Sequence, residues 1–482
     1  MSSVTPSVPL PPPERRVFCN RTLNMRSIRV VGFDMDYTLV HYDERAWEAR
    51  AYAHVMQHLV ARGLPVAHLE FRPELFARGL VLDRALGNVV KANRFGYVTQ
   101  AAHGTRLLDH DEQRRTYSQI WVDLSEPRWV FLNTLFSLSE ACIYAQLVDL
   151  LDEGRLGATL DYGALCELVS ETMDQAHLEG RLKAEIIADP RRFVDVDPDL
   201  ARTLLDLRSA GKKLFLATNS EWSYTQPMMA WAFQPFLDGG DWRDLFDLVI
   251  VQAKKPSFFE TDRPFTEVRP DGTEVPLTAA LRPGAIYRGG NAQLVQEHFG
   301  VDGGDILYVG DHVYADVHVS SQIRRWRTAL VLRELEQEVV AERSFAEDQR
   351  ELEARMREKT VLEHEQATLR LALQRLDHGA APPAGAPTTV PEIQERLRVL
   401  RTATEALDQL VAPLARRSAH LGHEHWGLLL RAGNDKSRLA RQIERHADVY
   451  TSRVSNLQFL TPFGYLRAAR GSLPHDEAVL GG

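Results

Sequence analysis

Cysteine is scarce: Cys19, Cys142 and Cys166 are the only three in 482 residues, and they stand far apart. An odd number at such spacings offers neither a disulfide framework nor the clustered thiolates of a zinc site, and it suits a reducing, cytoplasmic setting. No apolar run approaches the ~20 residues of a membrane span. The opening stretch MSSVTPSVPLPPPERR also lacks the apolar segment of a secretory signal. Positive charge is in deficit too, with a net charge of −9, so nothing offsets phosphate repulsion along a nucleic-acid groove. Membrane and nucleic acid are therefore excluded as expected partners. What is present, 44% hydrophobic and 26% charged residues, is the balance of a globular protein. Its length suggests about three domain-sized units.

The most informative stretch is Ile28 to Val40, IRVVGFDMDYTLV. A β-branched, apolar run ends abruptly in Asp34 and Asp36, which reads as a buried parallel strand delivering carboxylates to its C-terminal edge. Ligands bind at that edge of a parallel sheet. Two carboxylates would repel an anionic substrate, so the arrangement makes chemical sense with a divalent cation, and Mg²⁺ prefers such oxygen ligands. The plainer alternative is an Asx-type turn.

Four more strand-length apolar runs follow, at Lys213–Asn219, Asp247–Gln252, Asp305–Asp311 and Thr328–Arg333. With helix-compatible sequence between most of them, they predict a Rossmann-like, five-stranded, mainly parallel α/β sheet. Residues 21–43 and 207–333 form this core, after a flexible proline-rich tail over 1–20. Residues 44–206 read as a mainly helical insertion, with short strands near Leu80 to Thr99, placed where it would cover the site. Between Phe258 and Gly289 the sequence reads as loop, with a small hairpin around Asp271. Over 334–420, leucines at heptad-like spacing on either side of GAAPPAGAP predict an antiparallel helical hairpin. It is either a pair packed on its own core or an oligomerisation arm. Residues 421–482 are expected to pack back on the core.

The ends of the later strands carry the remaining chemistry. Thr218, Asn219 and Ser220 could cradle phosphoryl oxygens or simply cap a helix. Lys254 and Lys255 precede Pro256, where a lysine could neutralise a nucleophilic carboxylate and a phosphate together; the alternative is a solvated loop. Asp311, after Gly310, is placed to complete a three-carboxylate magnesium site, and Asp316 to hold the lysine. Glycine before the aspartate permits close backbone approach.

These four stretches occur in the order Asp-x-Asp, Thr/Ser, Lys, Gly-Asp-x4-Asp, each ending a predicted strand, and this pattern resembles the haloacid dehalogenase superfamily. The strings DMDYTL, LATNS, KKPSFF, YRGGN, DILYVGDHVYAD, WRT, LNTLF, NVVKANRFG and AAHG together resemble the cytosolic purine 5′-nucleotidase family. The similarity runs from about Arg16 through Pro474 and is weakest in the helical hairpin.

The resemblance implies Mg²⁺-dependent hydrolysis of nucleoside 5′-monophosphates in two steps. Asp34 would attack phosphorus and Asp36 would act as acid and then base. Phosphotransfer to a second nucleoside becomes an alternative fate of the intermediate. The resemblance further implies Mg²⁺ held by Asp34, the Asp36 carbonyl and Asp311, and favours Lys255 over Lys254. It assigns substrate recognition to Asp174, His177, Lys183 and Phe136, with Ser220 as a further contact, and implies a homodimer or tetramer.

The chain departs from its relatives at Ser170, where purine-preferring members carry an arginine. Losing that guanidinium removes ~1 to 3 kcal/mol of base selectivity. Asn133, Gln442 and Arg445 match a nucleotide-effector site, but Asp123 and Gln322 replace basic residues there, which predicts weak or absent activation by ATP. Two other functions compete: a phosphatase of another small phosphomonoester such as a sugar phosphate, and a non-catalytic interaction scaffold acting through the hairpin. The full set Asp34, Asp36, Thr218, Lys255, Asp311 and Asp316 opposes the second.

Overall fold

The computed structural model describes residues 10–133, 137–157, 160–269, 272–277 and 279–471, excepting the side chains of 177 and 178. They fall into two compact units. One holds everything up to Glu338 together with Leu429–Ala469, and the other holds Val339–Leu428.

The first unit is built on a ten-stranded sheet. Its strands are β1 (Phe18–Cys19), β2 (Val30–Phe33), β3 (Lys213–Ala217), β4 (Leu248–Val251), β5 (Phe265–Val268), β6 (Glu274–Pro276), β7 (Ile286–Gly289), β8 (Ile306–Gly310), β9 (Arg327–Val331) and β10 (Val449–Thr451). They lie in the order β1-β10-β9-β8-β2-β3-β4-β7-β5-β6. All neighbours from β10 to β7 run parallel, and only β1, β5 and β6 pair antiparallel.

Both faces of this sheet are covered, which is why its strands read as unbroken apolar runs. Val31 and Phe33 join one core with Leu214 and Leu216, while Val30 joins the other with Phe215 and Tyr308. At Gly32 an added Cβ would lie 2.1 Å from the Phe215 ring, so β2 can sit beside β3 only with glycine there.

The chain leaves β2 for β3 and β4 on one side and returns later to β8 and β9 on the other. β2 is therefore the point where strand order changes direction, the place where ligands bind in open α/β sheets. Register fixes the tips: Phe33 is level with Leu216 of β3 and Val309 of β8.

The strand expected to end at the aspartates does end at Phe33, after which Thr38, Leu39 and Val40 all turn their N–H groups onto the Met35 carbonyl. Tyr37 takes a positive φ of 54° in that turn. Several expectations are corrected here. The supposed loop after Phe258 contributes three strands, including the parallel β7, and its β5–β6 hairpin encloses Asp271, itself outside the described residues. The sheet is thus ten strands rather than five. Nor is the tail loose through residue 20, since Phe18–Cys19 pairs with Val449 and Tyr450.

Within the insertion, the helix Glu44–Ala61 starts where the Asp43 side chain accepts the Ala46 N–H at 2.7 Å. It packs against the helices Leu138–Asp152 and Tyr162–Leu178. Beside these helices stands a five-stranded antiparallel sheet running from Val81–Asp83 to Trp129–Phe131 in the chain. Of the C-terminal segment, Val449–Thr451 extends the main sheet and Tyr465–Leu466 pairs with Leu23–Asn24.

The second unit contains the helices Ala346–Asp377 and Val390–Ala419. Leu369, Ala372, Ile393 and Leu400 form their shared core. Lys359 pairs with Asp408, and Glu365 with Arg396, so the helices run antiparallel as the leucine spacing predicts.

Candidate active site

The loops following β2, β3, β4 and β8 converge on one point. Asp34 is carried there by its N–H bond to the Val309 carbonyl at 2.9 Å, and Thr218 by its own to Ile250 at 2.9 Å. Lys255 Nζ stands between two carboxylates, 2.7 Å from Asp34 Oδ1 and 2.7 Å from Asp316 Oδ1. It also reaches Tyr308 Oη at 3.2 Å, and that hydroxyl donates to the Ala217 carbonyl at 3.0 Å. Tyr308, on β8, thus steadies the lysine from the strand that carries Asp311 at its tip.

Asp316 spends its second oxygen on the His312 N–H at 3.1 Å. An added Cβ at Gly310 would lie 2.5 Å from Asp316 Cβ, Cγ and Oδ2, so this glycine lets the lysine's partner close on the strand tip. Asn219 plays a part other than the expected phosphoryl cradle. Its side chain accepts the Lys255 N–H at 2.7 Å and donates to the Lys255 carbonyl at 3.1 Å, splinting the lysine loop.

Asp36 is held separately. Tyr42 Oη donates to its Oδ1 at 2.5 Å and Ser220 Oγ to its Oδ2 at 2.8 Å, while Tyr224 Oη donates on to Tyr42 at 3.0 Å. Burial, then the charge of Asp36, keeps the Tyr42 phenol well above its ordinary value, so it remains a donor. Ser220 N–H bonds the buried Thr218 Oγ1 at 3.0 Å.

Burial also sets the electrostatics of the centre. It pushes the Asp34 carboxyl up to about 7 against the pull of Lys255. For Lys255 itself, burial opposes the charge, but Asp316 and Asp34 outweigh it and hold the ammonium well above the usual lysine value. Burial first, then Asp316 and Asp34, lifts Asp311 far above the carboxylate range. Crowded, desolvated carboxylates of this kind ionise readily only beside added positive charge.

One carboxylate oxygen each from Asp34, Asp311 and Asp316 lies within 4.8 Å of the others. Lys255 and the His312 amide occupy both oxygens of Asp316, whereas Lys255 takes only Oδ1 of Asp34, so the pair better placed to hold an ion is Asp34 with Asp311. That donor set fits a hard divalent cation such as Mg²⁺. The expected third carboxylate, Asp36, is turned to Tyr42 and Ser220, leaving its carbonyl as what this residue could offer.

The recognition residues foreseen in the insertion are less gathered. Lys183 pairs with Glu221 at 2.8 Å, one residue past Ser220, and its Nζ lies 4.9 Å from the Tyr224 ring centroid. Asp174 is exposed on the helix Tyr162–Leu178. Phe136 and the His177 side chain lie outside the described residues. Ser170 is exposed on the same helix.

At the proposed effector positions, the Asn133 carbonyl accepts from Arg78 at 2.9 Å, and the exposed Arg445 offers its carbonyl to Arg21 at 2.9 Å. Gln442 is half-buried on the helix Arg438–His446. Asp123 turns onto Ser125, and Gln322 is exposed. Sequence reasoning missed Tyr42, Tyr224, Tyr308 and Arg78. Tyr308 lies inside a predicted strand, where alternation would have aimed it at the lysine; Tyr42 stands six residues beyond Asp36, just past the motif, and Tyr224 and Arg78 act across distances that no local pattern encodes.

The parallel sheet with its buried Lys–carboxylate cluster at the switch point is that of a phosphoric monoester hydrolase. The 5′ nucleotidase family model matches residues 17–478, and the chain belongs to that family. A 5′-nucleotidase domain-containing protein of Dictyostelium discoideum is 29% identical over 475 residues, 95% of this chain and 74% of the relative. Among solved structures, a predicted phosphoglycolate phosphatase from Haemophilus somnus is similar at 13% identity, with 63% of this chain and 85% of that chain covered and a TM-score of 0.28. A HAD phosphatase from Thermococcus onnurineus is similar at 14% identity, covering 64% and 87%, with a TM-score of 0.26.

Proposed function

We propose that the protein is a Mg²⁺-dependent 5′-nucleotidase acting on nucleoside 5′-monophosphates of the IMP or GMP kind. The observation that carries this reading is Lys255 Nζ, held 2.7 Å from Asp34 and 2.7 Å from Asp316 beside Asp311. Asp34 Oδ attacks phosphorus in line, and the bond from phosphorus to the nucleoside 5′ oxygen breaks as Asp36 gives that oxygen a proton. Water then attacks the aspartyl-phosphate, its proton passes to Asp36, and the carboxylate of Asp34 is restored with release of phosphate. A nucleoside hydroxyl replacing water at this step gives phosphotransfer. Tyr42 and Ser220 orient Asp36, and Lys255 offsets charge as the two anions meet. Asp34, Asp311 and the Asp36 carbonyl would hold Mg²⁺, which when bound stabilises charge on the phosphoryl oxygens.

Asp174, His177, Lys183 and Phe136 are the proposed nucleoside contacts. Ser170, exposed on the helix Tyr162–Leu178, supports a base preference looser than that of relatives with arginine there. No helix among the described residues is long and apolar enough to cross a membrane, and the reading places the enzyme in the cytoplasm as a homodimer or tetramer. A phosphate-release panel across purine and pyrimidine monophosphates and sugar phosphates, with and without Mg²⁺, tests it. Mg²⁺-dependent turnover of nucleotides above sugar phosphates is expected. The reverse ranking would transfer the same chemistry to a different small phosphomonoester.

A further inference from the structure

Arg78 belongs to the insertion, three residues before the strand Val81–Asp83, and lies outside all four motifs. It is 4% exposed. Its Nε donates to the Asn133 carbonyl at 2.9 Å, and its Nη2 crosses to the carbonyl of Asp311 at 2.6 Å. The third nitrogen, Nη1, lies 3.6 Å from Glu334 Oε1; Nη1 and both Glu334 oxygens are buried without a hydrogen-bond partner.

The guanidinium is aimed rather than merely accommodated. Gly79 N–H bonds the Leu132 carbonyl at 2.6 Å, and Leu132 N–H bonds that of Leu80 at 2.9 Å. Thus the antiparallel ladder of the insertion fixes Arg78 and Asn133 side by side. Burying a guanidinium costs several kcal/mol unless its donors are satisfied. Two of them are satisfied by backbone carbonyls, one from the insertion and one from the loop after β8. A planar fork can span both; a lysine ammonium, a single donor centre, cannot hold the same pair in the same geometry.

The carbonyl on the core side is that of Asp311, whose carboxylate faces Asp34. Holding this peptide plane fixes the direction in which the Asp311 side chain leaves the backbone. We propose that Arg78 is a positioning residue for the divalent-cation site, clasping Asp311 from the insertion so that it can share an ion with Asp34. The inference rests on the reading of Asp34 and Asp311 as cation ligands given above. Its consequence is that cation affinity depends on the placement of the insertion, although the residues that would hold the ion, Asp34, Asp36 and Asp311, all belong to the core.

Calorimetric titration of the full chain with Mg²⁺, without substrate, tests this on the parent protein, Arg78→Gln, Arg78→Lys and Glu334→Gln. Loss of a group that orients a metal ligand weakens metal affinity by about tenfold or more, and this is expected for both Arg78 variants. Glu334→Gln, which leaves the clasp on Asp311 intact, should titrate close to the parent, and turnover at saturating Mg²⁺ should fall less than affinity. Circular dichroism reports whether each variant is folded. If Arg78→Gln does not fold, Arg78→Lys decides, because it keeps the buried positive charge. Parent-like affinity in the folded Arg78 variants overturns the inference and leaves the nucleotidase reading intact. An equal loss in Glu334→Gln also overturns it, since the effect would then belong to packing. Absence of Mg²⁺ binding by the parent would overturn both.

Discussion

The ammonium of Lys255 and the carboxylate of Asp316 form a buried pair at 2.7 Å, Asp316 being 1% exposed. Since Lys255 also faces Asp34, Asp316 decides where the charge near the proposed nucleophile stands. Asp316→Ala should lower stability by about 3 kcal/mol, the scale for breaking a buried pair. It should also reduce kcat with KM changed less. Urea melts and steady-state kinetics check both, and parent-like kcat would separate the pair from the chemistry.

Asp34→Asn removes the proposed nucleophile and leaves Lys255 its second partner. Hydrolysis should fall by roughly 10³-fold or more, as when a covalent nucleophile is lost. The melting temperature should stay near the parent value, because burial already opposes the Asp34 charge. Residual activity near the parent level would remove Asp34 from the mechanism.

Gly310→Ala brings a Cβ to 2.5 Å from three atoms of Asp316. Asp316 must shift off the lysine or the strand tip must move, at about 1–3 kcal/mol for such overpacking. Activity should drop more than stability does. Equal activity in the alanine variant would show that the close approach is not needed.

Mg²⁺ should raise the melting temperature of the parent by mass action on the folded state. Asp311→Asn, lacking one of the paired carboxylates, should lose most of that shift, and chelation should abolish turnover in the parent. An unchanged shift in the variant would place the cation elsewhere.

His41 and His446 are both held down to about 4, His41 by burial and then Arg333, His446 by burial and then His318 and Arg445. In the unfolded chain they take up protons near the ordinary 6.5, so the unfolded state binds more protons between pH 6.5 and 4. Stability therefore falls as pH drops through that window, by up to about 1.4 kcal/mol per pH unit for each histidine. The buried His41 Nδ1 has no partner, so His41→Leu should flatten this acid limb relative to the parent. Parallel curves for urea melts from pH 7 to 4 would refute the assignment.

The sequence by itself determined the parallel core, the four strand-tip motifs and the helical pair. Each of these is written locally: apolar runs of strand length, aspartates at their ends, leucines at heptad spacing. The aspartates, Thr218 and Lys255 were legible because their residue types are costly to bury without a chemical use.

Tertiary structure alone decided which oxygen each group spends and on what. Asn219 splints the lysine loop, Ser220 and Tyr42 take both oxygens of Asp36, and Arg78 crosses from the insertion to a backbone carbonyl at Asp311. Strand β7 and the terminal strands β1 and β10 were hidden as well, because short strands get their stability from pairing partners distant in the chain. Local composition records what a residue can do, whereas a hydrogen bond between residues more than 200 positions apart exists only once the sheet has brought them together.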